Sequence, residues 1–343
     1  AVQDAVRAFV QAEIAPHAAA WDKAHTFPKA ALRGLAELGC YGVAVPAEQG
    51  GAGLDYLALA VILEEIAAGD GATSTIVSVN NCPVCSILMA FGNAEQQQRF
   101  LVRTTARREG DEYVLDGVKQ FITSGKHGDV AIVMAVTDKA AGKKGISAFL
   151  VPTSTPGYVV ARLEDKMGQH ASDTAQIRFE NCRIPVANRL GEEGQGLKIA
   201  LSGLEGGRIG IASQAVGMAR AAFEAALRYS HERTSFGQTI FNHQAVQFKL
   251  ADMATQIEAA RQLIHHAAAL KDAGRPCLKE AAMAKLFASE IAERVCSDAI
   301  QVHGGYGYVS DFPVERIYRD VRVCQIYEGT SEVQKILIGR ALI

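Results

Sequence analysis

Near the end of the chain, Tyr327-Glu328-Gly329-Thr330-Ser331 puts a carboxylate, a glycine and two hydroxyls side by side. Glu328 follows the apolar run Val321 to Tyr327, broken only by Arg322 and Gln325. A carboxylate in such surroundings is partly desolvated, which raises its pKa towards the range of a general base. Gly329 lets the backbone turn sharply and lets a ligand approach it. Thr330 and Ser331 read as a helix start, with Ser331 and Gln334 spaced as a capping box. Free N–H groups at such a start attract anions. Taken alone, the segment also reads as a plain entry into a helix.

Other residues offer further pieces of a site. Arg208 stands among Gly206, Gly207 and Gly210, where an acidic ligand could come close; the spacing suggests a helix start. Arg233 and Ser235, in HERTSFGQ, make a phosphate clamp or an ordinary solvated loop. Gln301-Val302-His303-Gly304-Gly305 follows a helical stretch. It lacks the strand and the GxGxxG spacing of a dinucleotide fingerprint, so it is either a helix cap or bare backbone for a ligand. Phe121-Ile122-Thr123 ends a strand with an apolar side and a hydroxyl, as a ring-binding face or a plain strand end would. None of the nine histidines forms HExxH, and no GxSxG elbow occurs.

The composition narrows the classes. A chain of 343 residues, 49% apolar, can build two or three domains with a sizeable core. Net charge −2 without a basic block argues against nucleic acid. The apolar run Tyr56 to Leu63 stops at Glu64-Glu65, too short to cross a bilayer. AVQDAVRAFV carries charges at helical spacing rather than a signal peptide. Seven scattered cysteines fit reduced thiols. Cys82-Pro83-Val84-Cys85 has no second pair to complete a zinc site, and no metal is expected.

The elements that must position these residues change character along the chain. Residues 1–101 read as helical: Val2 to about Ala20, Pro28 to Leu38, Asp55 to Ala68, Ala72 to Phe91 interrupted by Pro83, and a polar helix Ala94 to Leu101. Residues 102–190 read as a compact β domain. Val130 to Val136, Ile146 to Val151 and the alternating Ala175 to Phe179 are its strands, and Asp116-Gly117 signals a hairpin. Residues 191–343 read as long helices. Val246, Leu250, Met253, Ile257, Ala260 and Ile264 form a bundle seam, and a helix from Ser331 closes a four-helix bundle.

MGQHASDT, LSGLEGGRIGIASQAVG, ERTSFGQTIFNHQAVQFKLADMA, KEAAMAKLFASEIAERV, AIQVHGGYGYVSDFPVERIYRD and QIYEGTSEVQK, in this order, resemble the signatures of the acyl-CoA dehydrogenase family. The resemblance covers essentially the whole chain and is greatest to short-chain and short-branched-chain members. It implies an α+β fold: an N-terminal helical domain, a β-barrel-like middle domain and a C-terminal four-helix bundle, assembled as a homotetramer. It implies non-covalent FAD, α,β-dehydrogenation of a short-chain acyl-CoA, and electron-transferring flavoprotein as acceptor. An oxidase of the same fold is the alternative. Glu328 falls at the position of the catalytic base, which removes the α-proton while the β-carbon gives hydride to flavin N5. Some relatives carry the base just before the arginine matching Arg208, where this chain has Gly207. Glu205, Arg208, Tyr327 and Gly329 fall on the substrate side. Phe121, Ile122 and Thr123 match the strand end against the flavin. Arg233, Ser235, Phe236, His243 and Gln244, with Gln301, Gly304 and Gly305, match contacts to the FAD of a neighbouring subunit. Thr330 and Glu332 match positions near the adenosine. The signal-free chain suggests the bacterial cytoplasm, with the mitochondrial matrix as the alternative.

One departure stands out. Relatives carry an acidic, glycine-rich ALTEPxAGSD-type segment where Leu101 here runs into Val102. The intact surroundings favour a loop absent from the sequence as read. A true deletion would leave a non-catalytic acyl-CoA-binding relative.

Overall fold

The computed structural model describes residues 2–91, 108–138 and 140–343. The helix expected at Ala94 to Leu101 and the Leu101–Val102 junction lie outside them.

The N-terminal segment forms α1 (Val2–Phe9), a wider π turn (Val10–Ile14) and α2 (Ala18–Ala24). Val6, Val10 and Ile14 recur every four residues and are buried. α3 (Lys29–Glu37) stops before Gly39, whose φ of 76° no longer continues a helix. α4 (Tyr56–Gly69) is capped by Asp55, which accepts the Ala58 N–H at 2.7 Å. α5 (Gly71–Val79) is capped in the same way by Asp70, from the Thr73 N–H at 2.7 Å. Pro83 cannot continue the ladder. Cys82 leaves the helical region (φ −140°, ψ 119°) before α6 (Ser86–Phe91) resumes it. Gly71–Phe91 is long and apolar enough to span a membrane, yet 56% of its most apolar window is buried inside the protein.

The middle of the chain builds two antiparallel sheets. β1 (Arg108–Glu109), β2 (Glu112–Thr123), β6 (Thr174–Pro185) and β5 (Tyr158–Leu163) lie side by side in that order. β3 (Val130–Val136), β4 (Ile146–Pro152) and β7 (Arg189–Leu190) form the second sheet. Their inner faces share one core, in which Ile177 and Phe179 meet Tyr113, Phe149 and Val151. Asp116-Gly117 is not a turn. β2 runs through it, and the pairing with β6 slips there as a bulge with Gly117 at φ 143°. Asp116 instead accepts the Asn181 N–H across the bulge at 2.7 Å. The strand reverses earlier, at Gly110 (φ 64°), between β1 and β2. β5 was not foreseen: YVVARL has no clean alternation, and none of its residues is fully buried.

Three long helices follow, α7 (Gly196–Glu232), α8 (Gln244–Asp272) and α9 (Leu278–His303). Leu250, Met253, Ile257, Ala260 and Ile264 are buried against the alanine-rich faces of α7 and α9. α10 (Val314–Val321) and α11 (Ser331–Arg340) complete the layer, α11 against α9. α7 is the common rod: it packs on α4 and α5, on β4, and on α8 and α9. Gly217 lets it press on α4, since a Cβ there would lie 2.3 Å from the Glu64 carbonyl oxygen.

Candidate active site

Arg208 lies well inside α7 rather than at a helix start. Its glycine neighbours are contact points. A Cβ on Gly206 would lie 2.9 Å from Cys82 Sγ and from Tyr56 Cε1; one on Gly210 would lie 2.8 Å from Ser78 Oγ. One on Gly207 would lie 2.5 Å from Oε2 of Glu328. The chain thus brings Glu328 onto α7 at the residue just before Arg208.

The approach to this contact is a tight turn. Glu328 (φ 53°) and Gly329 (φ 91°) are both left-handed and lead from a short helical turn, Arg322–Gln325, into α11. For a glutamate this conformation costs on the order of 1–3 kcal/mol, so its surroundings must enforce it. Lys285 Nζ donates to the Gly329 carbonyl at 2.6 Å. Gln334 Nε2 donates to the same oxygen at 2.8 Å and to the Glu328 carbonyl at 3.3 Å. The expected capping box is therefore absent. Thr330 is the N-cap without a side-chain capping bond, and Ser331 Oγ is buried without a partner. Gln334 is spent on the turn instead of on the helix start.

Electrostatics sharpen the picture. Burial pushes the Glu328 carboxyl up to about 7, with Arg208 and Lys285 pulling the other way. Burial likewise lowers the Arg208 guanidinium, opposed by Glu328 and Glu205. Lys285 falls to about 8, again chiefly through burial. Glu328 Oε2 and Arg208 Nε and Nη1 are buried without hydrogen-bond partners. Such orphaned groups in a native site point to a ligand that satisfies them. Beside them, the Tyr327 hydroxyl donates to Gln214 Oε1 at 2.8 Å, and Gln214 Nε2 donates to the Ser74 carbonyl at 3.1 Å. Thr75 Oγ1 donates to Gln169 Oε1 at 2.7 Å, and Gln169 Nε2 to the Asp320 carbonyl at 3.2 Å. This buried chain ties the Glu328 segment to the helical layer and to the β domain.

Two clefts adjoin α7. One, of ≈ 530 Å³, runs between the N-terminal helices and α7, lined by Tyr56, Cys82, Cys85, Met89, Ser202, Glu205 and Lys271. Glu205 Oε1 accepts from Lys271 Nζ at 3.1 Å and from Cys277 Sγ at 3.3 Å. Tyr56 and Cys82 of this cleft's lining pack against Gly206, the immediate neighbour of Gly207. The other, of ≈ 570 Å³, joins Arg233 with Gly304, Gly305, Tyr229, His303 and Tyr306. Ser235 Oγ is 3.0 Å from His243 Nε2, and Phe236 is 98% exposed with its ring nearly perpendicular to that of His243. Gln244 and Gln301 are exposed near the start of α8 and the end of α9. Phe121 (φ 59°, 71% exposed) closes β2 with Ile122 and Thr123, and Glu332 is exposed on the first turn of α11. His25, Asp165 and His170 bring ligand-type atoms within 4.8 Å of one another. Both ring nitrogens of His170 are already engaged there, by Asp22 at 2.8 Å and by the Lys166 carbonyl at 2.6 Å.

Sequence reasoning missed Lys285, Gln214 and the clamp role of Gln334. For Lys285 a signal existed: a lone lysine among core-spaced alanines in AAMAKLFA.

Three family descriptions match: Acyl-CoA dehydrogenase N-terminal domain (residues 1–108), middle domain (91–182) and C-terminal domain (194–343). The mitochondrial short-chain specific acyl-CoA dehydrogenase of Rattus norvegicus is 46% identical, covering 98% of this chain and 88% of that protein. The structure of butyryl-CoA dehydrogenase from Megasphaera elsdenii is 38% identical with TM-score 0.96, covering 99% and 97%. A chain solved in work on the electron transferring flavoprotein of Acidaminococcus fermentans is 43% identical with TM-score 0.97, covering 100% and 97%. The alignment with the rat protein runs over 362 positions, more than the 343 residues of this chain, so the relative carries residues that this chain lacks. The sequence runs from Leu101 directly into Val102, and that junction lies outside the described residues. From matches along its whole length, the chain belongs to the acyl-CoA dehydrogenase family, a family of flavoprotein oxidoreductases.

Proposed function

We propose that this protein dehydrogenates a short-chain acyl-CoA to the trans-2-enoyl-CoA, with Glu328 as the base and FAD as the cofactor. The observation that carries the reading is the Glu328 carboxyl: buried without a hydrogen-bond partner, pushed up to about 7, and seated against Gly207 beside the orphaned Arg208. A base poised near neutral pH is effective for removing a carbon-bound proton. The rat and Megasphaera relatives, named for short-chain and butyryl substrates, support the chain length.

The residues present fit a flavin nucleotide. Gly304 and Gly305 leave open space where a Cβ would stand, next to Arg233, and Phe236 and Phe121 offer exposed rings. Phe121, Ile122 and Thr123 would pack on the ring system. Arg233, Ser235, Phe236, His243, Gln244, Gln301, Gly304 and Gly305 would hold the nucleotide of another copy, and Thr330 and Glu332 would lie near the adenosine. Arg208 and Arg233 are separated by most of α7, roughly 37 Å at 1.5 Å per residue. One cofactor does not reach both neighbourhoods, which supports sites shared between copies, as in the homotetramer that the family resemblance implies. When bound, FAD supplies the acceptor for the β-hydride.

The chain itself handles the proton. The Glu328 carboxylate takes the α-proton and becomes the neutral acid, its own backbone N–H donates to the thioester oxygen where the enolate charge develops, and Arg208 faces the carboxylate before transfer. A donor of that kind contributes ~3–4 kcal/mol in oxyanion holes. Glu205, Tyr327 and Gly329 would border the substrate. The acceptor we favour is an electron transferring flavoprotein, as the Acidaminococcus neighbour suggests. Seven free, buried thiols fit a reducing compartment such as the bacterial cytoplasm.

A second reading rests on the longer alignment: a relative that binds acyl-CoA without flavin chemistry. Purified protein offered FAD and then mixed anaerobically with butyryl-CoA separates the two. Bleaching of bound flavin supports the dehydrogenase; peroxide on aerobic turnover would mark an oxidase. Protein that takes up no FAD yet binds acyl-CoA supports the second reading.

A further inference from the structure

Lys285 has none of its surface exposed. Lysine is almost never buried to this degree unless paired. It stands on α9 in a seam of small residues, with Ala281, Ala282, Ala284 and Ala288 buried around it. Its Nζ donates at 2.6 Å to the Gly329 carbonyl, which Gln334, itself fully buried, also binds. That carbonyl belongs to the second of the two left-handed residues, Glu328 and Gly329. Relaxing the turn would swing the carboxylate off Gly207.

We propose that Lys285 is a positioning residue for this site: its ammonium grips the Gly329 carbonyl, locks the left-handed turn, and biases the neighbouring carboxyl towards its ionised form. The groups that face it are Glu328 from the turn, Cys324 from the segment before it, Arg208 from α7 and Glu332 from α11. A cation facing a carboxyl favours the carboxylate, and Lys285 acts on Glu328 in that direction. Arg208 stands in direct opposition to Glu328 as well, but it lies on another helix and leaves the turn untouched. The inference rests on Glu328 being the base, whereas its test does not.

Carbon NMR of selectively labelled glutamate follows the Glu328 carboxyl through pH in the full chain, with Glu328→Gln giving the assignment. Lys285→Met keeps the bulk of the stem and removes charge and donor. We expect its Glu328 midpoint to rise by about one unit or more while the cooperative melt is retained. A midpoint equal to that of the wild type overturns the proposal. If Lys285→Met does not fold, the reciprocal titration decides, because coupling between two sites is symmetrical. Glu328→Gln must then lower the Lys285 midpoint, and an unmoved lysine refutes the coupling. Should Glu328→Gln leave the reaction intact, the base reading falls while these titrations still stand.

Discussion

Gly207→Ala sets stability against reaction at one atom. In the interior of α7 an alanine is favoured over glycine by about 1 kcal/mol. The new Cβ, however, would stand 2.5 Å from Glu328 Oε2 and 3.1 Å from Cδ, where ordinary contact begins near 3.4 Å. The helix backbone is held on both sides, through Gly206 against Tyr56 and Cys82 and through Gly210 against Ser78. The carboxylate is the end of a side chain and yields instead, by roughly 1 Å. A misplacement of that size at a reacting group costs on the order of 10²-fold in rate. Calorimetry should therefore give an unchanged or slightly raised Tm, and stopped-flow flavin reduction should slow by about that factor. Reduction within twofold of wild type would show that Glu328 does not act from this position.

Two further outcomes concern stability. Glu328 and Asp320 are both raised to about 7, chiefly by burial, above their ordinary values of 4.5 and 3.8. Between those limits the folded chain holds more protons than the unfolded one, so both groups make stability fall as pH rises from about 4 to 7. Glu328→Gln should flatten that fall and stabilise the protein at pH 8 by up to about 3 kcal/mol; denaturant melts at pH 5 and pH 8 check it, and equal pH slopes in both proteins would contradict it. Glu65 behaves in the opposite sense. Burial would raise its carboxyl, yet hydrogen bonds from Arg7, Arg220 and Gln3 hold it at about 2. Its contribution is complete above about 4.5 and is lost as pH falls towards 2. Glu65→Gln leaves two arginines short of a partner and should cost about 3 kcal/mol at pH 7, with little effect on the rate of flavin reduction.

Much of the fold was legible because period and punctuation agreed. The seam Leu250 to Ile264 is buried as its spacing implies, and Ile177 and Phe179 face inward as their alternation implies. What misled was local chemistry with more than one use. Asp116-Gly117 suits a turn and a bulge equally, and pairing with β6, remote in sequence, decided for the bulge. Ser331 and Gln334 have capping-box spacing, but two buried carbonyls competed for the amide and won. The glycines around Arg208 look like a helix start until α4, α5, the bend at Cys82 and the Glu328 turn are brought against them; only tertiary contact shows that each is a place for a neighbour. The candidate site was legible at Glu328 and Arg208, which the fold brings together, because a carboxylate after an apolar run and an arginine among glycines are each unusual. At Lys285 the alanines around it signal burial, but its partner is a backbone carbonyl, so the sequence does not show what the ammonium binds.

The central claim is that the Glu328 carboxylate removes the α-proton. Anaerobic mixing of FAD-loaded protein with butyryl-CoA, wild type beside Glu328→Gln at equal flavin occupancy, tests it most directly. The account predicts bleaching in the wild type and a loss of about 10²–10⁴-fold or more in the variant, with FAD retained. Equal rates of bleaching in the two proteins would contradict it.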